Sequence, residues 1–188
     1  MTYTVRPLDA STWAAFAELV ERNNGIFGGC WCLGFHPERA QRGPVRRTIK
    51  EDRVRTGRAH AALVFDEDGV VQGWCQYGSP AELPGIKHRR AYDKDAPPRP
   101  DWRITCVFVD RKHRGRGVAR TALAGALDLI ARDGGGLVEA VSEVTAGRDA
   151  PARFLFTGTV ELFEEAGFGR GRRLGTHAWI MSKEVGSK

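Results

Sequence analysis

No stretch of this 188-residue chain carries the roughly 18 consecutive apolar residues that a membrane-spanning helix requires. The opening residues MTYTVRPLDA lack the basic patch and apolar core of a secretory leader, so a cytoplasmic location without membrane association is expected. Cysteine is sparse, with only Cys30, Cys32, Cys75 and Cys106, and without an export signal these are expected as thiols rather than as a disulfide framework. A Cys-x-Cys pair with no second close pair falls short of the usual spacing of structural zinc ligands, and no metal is expected. No Gly-x-Gly-x-x-Gly follows the first strand and no Gly-Lys-Ser/Thr occurs, which argues against dinucleotide-binding and P-loop architectures. Acidic residues are outnumbered 23 to 29, and the net charge of +6 suits an anionic ligand, a nucleic acid or an acidic surface. Aromatics interleaved with the arginine clusters are missing, which argues against nucleic acid.

What is present reads as one domain over residues 1–188, long enough for one substantial core and short for two. Strand and helix signals alternate. YTVRPL is a strand signal, and STWAAFAELVERN places Trp13, Phe16, Ala17 and Val20 at helical spacing with Ser11 as N-cap. A glycine-rich loop, NNGIFGGCWCLGFHPE, precedes a second helix from Pro44 to Gly57, whose alternating charges read as a solvated face. AHAALVF and VVQGWCQYG, joined by DEDG, read as a hairpin. Residues 79–101 hold five prolines and the cluster KHRR, and read as a functional or mobile excursion. Then come a strand, WRITCVFV, a helix, GVARTALAGALDLIAR, with Val118, Ala122, Ala126 and Ile130 on one face, a strand, LVEAV, a short helix closed at Gly167, and a terminal strand, THAWIMSKE.

The most informative stretch is RKHRGRGVAR, where a strand turns into a helix. Such a turn aims several backbone N–H groups, unpaired within the helix, into one small volume, and the helix dipole adds partial positive charge there. Gly115 and Gly117 lack the Cβ atoms that would obstruct a ligand, while Arg111, Lys112, Arg114 and Arg116 attract an anion. The turn is therefore expected to bind phosphate.

Arg114, Gly117 and Ala119 fit Arg-x-x-Gly-x-Ala, which resembles the acetyl-CoA signature of the GCN5-related N-acetyltransferase (GNAT) superfamily. The resemblance extends over about residues 60–182, with ITCVFV in the place of the fourth strand, FEEAGF in the place of the family's Tyr-Glu-x-x-Gly-Phe, and a closing strand pair. It implies an α/β (α+β) fold: a central mixed, mostly antiparallel sheet of six to seven strands, about four flanking helices, and a cleft where the fourth and fifth strands splay. It also implies acetyl-CoA as cosubstrate. The amides of Arg114, Gly115, Arg116, Gly117, Val118 and Ala119 would hold its pyrophosphate, and the backbone of Val107 and Val109 would pair with the pantetheine arm like an added strand. Acceptor choice would fall to GGCWCLGFHPE and to residues 79–101.

The implied chemistry is acetyl transfer to a primary amine by direct attack in a ternary complex, which needs a base for the amine and a donor for the oxyanion. The family's usual acid is a tyrosine, and this chain has Phe163 at that place, which donates no proton. Glu139, the one charge in an apolar or small-residue strand, is the candidate base, with a buried pair to Arg103 as the alternative. Cys106 is a conceivable nucleophile near the acetyl position, although a cysteine in an apolar strand more commonly acts as a small hydrophobe. The CWC segment would line the acceptor pocket, with Trp31 as its wall, or else tuck into the core. His60, His88, His113 and His177 show no acidic partner at motif spacing.

A small-molecule amine is the expected partner, with protein or peptide acetylation and a non-catalytic coenzyme A-binding sensor as alternatives. A monomer or a homodimer is expected, a dimer through edge strands being in keeping with such a fold.

Overall fold

The computed structural model describes residues 2–95, 97–147 and 155–188. Seven strands are formed by Thr4–Pro7 (β1), His60–Phe65 (β2), Val71–Gly78 (β3), Trp102–Val109 (β4), Gly136–Glu143 (β5), Gly169–Arg173 (β6) and Ala178–Val185 (β7). They make one sheet in the order β1-β2-β3-β4-β5-β7-β6. Every neighbouring pair is antiparallel except β4 and β5, which run parallel. The α-helices are Trp13–Arg22 (α1), Val45–Arg55 (α2), Arg89–Asp93 (α3), Val118–Arg132 (α4) and Val160–Glu165 (α5).

Strand alternation divides the core between the two faces of the sheet. Ala61, Leu63, Phe65, Trp74, Cys106 and Phe108 face the side covered by α1, whose Trp13, Phe16, Ala17, Leu19 and Val20 are buried. Ala62, Val64, Cys75, Tyr77 and Ile104 face the other side, where α4 lays down Val118, Ala122, Leu123, Ala126 and Ile130 and α5 adds Val160 and Phe163. The apolar stripe read from the sequence of α4 is thus the stripe that packs.

Two irregularities in β4 shape the cleft beside it. Gln76 pairs with Cys106 but Tyr77 with Ile104, which leaves Thr105 as an extra residue in a bulge. On the other edge, β4 and β5 pair only from Trp102↔Val138 to Ile104↔Ala140 and then diverge. The segment that leads into α5 approaches this gap: the Val107 N–H donates to the Phe156 carbonyl at 2.7 Å, and Thr159 bridges to Glu143.

Two local expectations need correction. The charges of α2 are not all on a solvated face, because Arg46, Lys50 and Arg53 are buried. Arg53 is accommodated by a two-pronged contact with Glu38 (2.8 and 2.9 Å) and a bond to the Arg58 carbonyl. The first residue before α1 is Thr12 rather than Ser11, and its hydroxyl bonds the Pro7 carbonyl and the Asp9 amide instead of capping the helix. Within residues 79–101 a short helix, α3, forms, and GRGRR, which carries no strand signal of its own, supplies with β7 the closing strand pair that the resemblance implied.

Candidate functional site

The turn between β4 and α4 has the backbone that its glycines permit. Gly115 and Gly117 have φ of +73° and +84°, and a Cβ built on either would meet nothing within 4 Å. Their need for glycine is therefore conformational, and the space above them is open. Within α4 the first satisfied amide is that of Thr121, which donates to the Gly117 carbonyl at 3.0 Å, so those of Val118, Ala119 and Arg120 have no partner inside the helix. Asp110 steadies the approach, accepting from the Lys112 amide at 3.0 Å and pairing with Arg22 at 3.0 Å.

These amides open onto a cavity of about 410 Å³ lined by Val107, Val109, His113, Arg114, Gly115, Gly117, Val118, Ala119 and Phe156 among others. Of the eight residues expected at a coenzyme site, seven share this one space, and Arg116 is not part of its lining. His113, which no motif pointed to, joins them with a buried Nδ1 that has no hydrogen-bond partner among the described residues. Unpaired amides at a helix start, open space over two glycines and an unsatisfied imidazole nitrogen fit a phosphate-bearing ligand such as coenzyme A. The Val107 amide, expected to face a pantetheine arm, is instead taken by Phe156.

A second cavity of about 440 Å³ lies next to the first, lined by Phe27, Cys30, Cys32, Phe35, Arg42, Arg46, Trp74, Cys106 and Phe156 among others. Phe27 and Phe156 line both, with ring centroids 5.8 Å apart. The loop that builds this wall holds non-glycine residues in the left-handed region at Asn24, Ile26, Phe27, Trp31 and Cys32. For a β-branched residue such as Ile26 that is a costly conformation, of the kind concentrated at functional sites. Cys30 and Cys32 do line the pocket, but Trp31 turns into the core, 6.0 Å from Trp13. Cys75 faces α4 on the opposite side of the sheet, and among the described residues no cluster of His, Cys, Asp or Glu is arranged to hold a metal.

Under this wall lies a buried polar network. Lys50 Nζ is 3.0 Å from Gln76 Oε1, 3.3 Å from His36 Nε2 and 3.4 Å from the Cys32 carbonyl. Gln76 in turn donates to the hydroxyl of the bulged Thr105 at 2.9 Å. Burial pulls the Lys50 pKa down, and burial together with the Lys50 and Arg53 cations lowers that of His36 to about 2, so His36 is neutral. Burial opposes ionisation of Cys32, but the neighbouring Cys106 thiol and the Lys50 cation outweigh it and lower its pKa. Cys106 moves the opposite way, raised by its hydrogen bond with Cys32 and by burial. His60, whose sequence offered no partner, finds one in the excursion: its Nδ1 lies 2.7 Å from Glu82.

Glu139 is buried on the α1 side of β5. Its carboxylate accepts from the Tyr92 hydroxyl at 3.0 and 3.1 Å, and Arg103 Nε lies 3.7 Å away. Burial raises its pKa, with Tyr92 and Arg103 acting in the opposite sense. It borders a cavity of about 20 Å³ shared with Thr105, Thr157 and Phe35, space for a single water. The Thr157 hydroxyl there is buried without a hydrogen-bond partner among the described residues. Phe163 is fully buried, its ring 4.9 Å from that of Phe168, and of the KHRR cluster Lys87 pairs with Glu143 while His88, Arg89 and Arg90 are exposed.

A family model described as the acetyltransferase (GNAT) family matches residues 30–168. No curated protein sequence matches the chain. Among solved structures, a mosquito arylalkylamine N-acetyltransferase like 5b is 11% identical, with a TM-score of 0.59 over 98% of this chain and 100% of that one. A phosphinothricin acetyltransferase of Sinorhizobium meliloti, solved with acetyl-CoA, is 16% identical, with a TM-score of 0.57 over 99% and 90%. A Corynebacterium glutamicum protein named as a histone acetyltransferase and related acetyltransferase is 18% identical, with a TM-score of 0.57 over 100% and 99%.

Proposed function

The chain belongs to the GNAT acetyltransferase family, and on that footing we propose that it moves an acetyl group from acetyl-CoA to a primary amine of a small molecule, in one ternary complex. The observation that carries this reading is the pair of adjacent cavities on β4, one opening on the amides of the α4 turn and the other walled by the 24–35 loop, with Phe27 and Phe156 common to both. The three similar structures are named for different acceptors, and at 11–18% identity they support the fold and leave the acceptor to this chain's own pocket.

Acetyl-CoA supplies a thioester whose carbonyl the amine attacks. The residues assigned to it are Arg114, Gly115, Gly117, Val118 and Ala119 for the pyrophosphate, with Arg116 as a longer-range charge and Val107 and Val109 beside the pantetheine arm. For Val107 this requires the Phe156 carbonyl to yield its hydrogen bond. The amine must be neutral to react, and Glu139 is assigned as the base that takes its proton through a water in the small cavity beside Thr105. Its burial supports that role by raising its proton affinity. Phe163 supplies no proton, so no general acid is assigned on α5. Holding the two reactants side by side provides most of the acceleration.

The test is release of free thiol from acetyl-CoA by the purified protein in the presence of small primary amines. Acceptor-dependent release supports the reading. Tight coenzyme A binding with no release for any amine, peptide or protein acceptor points to a non-catalytic coenzyme A-binding protein.

A further inference from the structure

The second cavity is built for an amine of a particular kind. Its walls carry four aromatic rings, Phe27, Phe35, Trp74 and Phe156, and two arginines, Arg42 and Arg46, whereas no Asp or Glu among the described residues lines it. Arg46 is buried and is held by three backbone carbonyls: Nε donates to Gln41 at 2.6 Å, Nη2 to Arg39 at 3.0 Å and Nη1 to Gly29 at 3.4 Å. A guanidinium has five N–H donors, so two remain, and no described carboxylate stands within ion-pair distance to neutralise the charge. Arg42, exposed at the rim, spends Nη1 on the Arg39 and Gln41 carbonyls and likewise meets no described carboxylate. A buried cation held by neutral carbonyls, with two donors unspent among the described residues, matches a planar anion.

We infer that the acceptor is a small aromatic amino carboxylate, its ring among the four aromatic side chains and its carboxylate on Arg46 and Arg42. This rests on the acetyltransferase reading. Polycationic amines lack an acidic wall to bind and meet two like charges. A neutral aromatic amine fills the rings but leaves the Arg46 donors unpaired, a loss that a site built to bond an anion discriminates strongly.

The experiment compares matched pairs, phenylalanine with phenethylamine and tryptophan with tryptamine, alongside spermidine, by acetyl-CoA thiol release. The expected result is kcat/KM at least about tenfold higher for each amino acid than for its decarboxylated partner. Arg42→Gln, at an exposed rim position, is expected to shrink that ratio through KM, and Arg46→Lys, which keeps the charge but loses the fork, to shrink it further. Equal or better turnover of the decarboxylated amines overturns the inference and leaves the acetyltransferase reading intact. Calorimetry on the protein with coenzyme A bound separates the two failures. Tighter binding of 3-phenylpropionate than of 3-phenylpropanol, lost in Arg42→Gln, upholds the anion site even if no amine is acetylated, and equal binding of the two refutes it.

Discussion

Gly117→Ala separates the coenzyme from the fold. At φ +84° with nothing within 4 Å of a built Cβ, the substitution strains the backbone without a clash. A non-glycine residue in the left-handed region costs about 1–2 kcal/mol, which in a protein of this size lowers Tm by roughly 2–8 °C. The added methyl projects into the open space at the turn, where a pyrophosphate is assigned to approach. Losing one charged hydrogen bond costs about 1.5–3 kcal/mol, so the Kd for coenzyme A is expected to rise roughly 10- to 100-fold. Gly57→Ala is the matched control, since Gly57 has φ +67° and equally open surroundings but lies beyond α2, away from the turn. Calorimetry and a melting scan on both variants give the answer. The control loses comparable stability and keeps its affinity. If Gly117→Ala binds coenzyme A within about twofold of the parent, where RT ln 2 is only about 0.4 kcal/mol, the phosphate assignment is wrong.

Glu139→Gln is expected to lower kcat by about 10²–10⁴, the usual contribution of a general base, with coenzyme A affinity unchanged. In the parent protein kcat/KM should fall as pH drops through a carboxyl pKa above the ordinary glutamate value, because burial raises it. His36 is expected to weaken the fold on acidification. Its folded pKa near 2 lies far below its ordinary 6.5, so its contribution is present above pH 6.5 and is lost on acidification by up to about 1.4 kcal/mol per pH unit. Chemical denaturation from pH 7 to 5 should show this slope, and His36→Gln should flatten it. His60, raised by Glu82, acts oppositely, contributing below pH 6.5 and losing that contribution as pH rises through its folded pKa. Gly158→Ala places a Cβ 2.7 Å from Phe163 Cε2 at φ +81°. Overpacking there costs about 1–3 kcal/mol on top of the backbone strain, and a thermal scan is expected to show a larger Tm loss than Gly117→Ala.

The parts of this architecture readable in the sequence are those where local chemistry and tertiary role coincide. The β4–α4 turn is one, because two glycines between an apolar run and a helical stripe already describe its backbone. The buried side of α2 is the opposite case. Lys50 and Arg46 carry the signal of a solvated helix, and only the convergence of Gln76, His36 and backbone carbonyls from other elements makes their burial tolerable. His60 and Glu82 are 22 residues apart and meet only because the excursion folds back over β2. Trp31 and its flanking cysteines part company because left-handed φ values at Trp31 and Cys32 send neighbouring side chains to different places, which composition does not encode. Phe156 reaches β4 by the splay of two strands, a long-range feature that no local pattern marks.

Direct transfer requires two substrates held at once in adjoining cavities, and initial velocities with acetyl-CoA and an accepted amine varied together test it directly. Intersecting double-reciprocal lines, with no acetyl group retained on the protein after mixing with acetyl-CoA alone, are the predicted result. Parallel lines, with an acetyl group recovered on Cys32 or Cys106, would contradict direct transfer and place a covalent intermediate on the pair of thiols lining the second cavity.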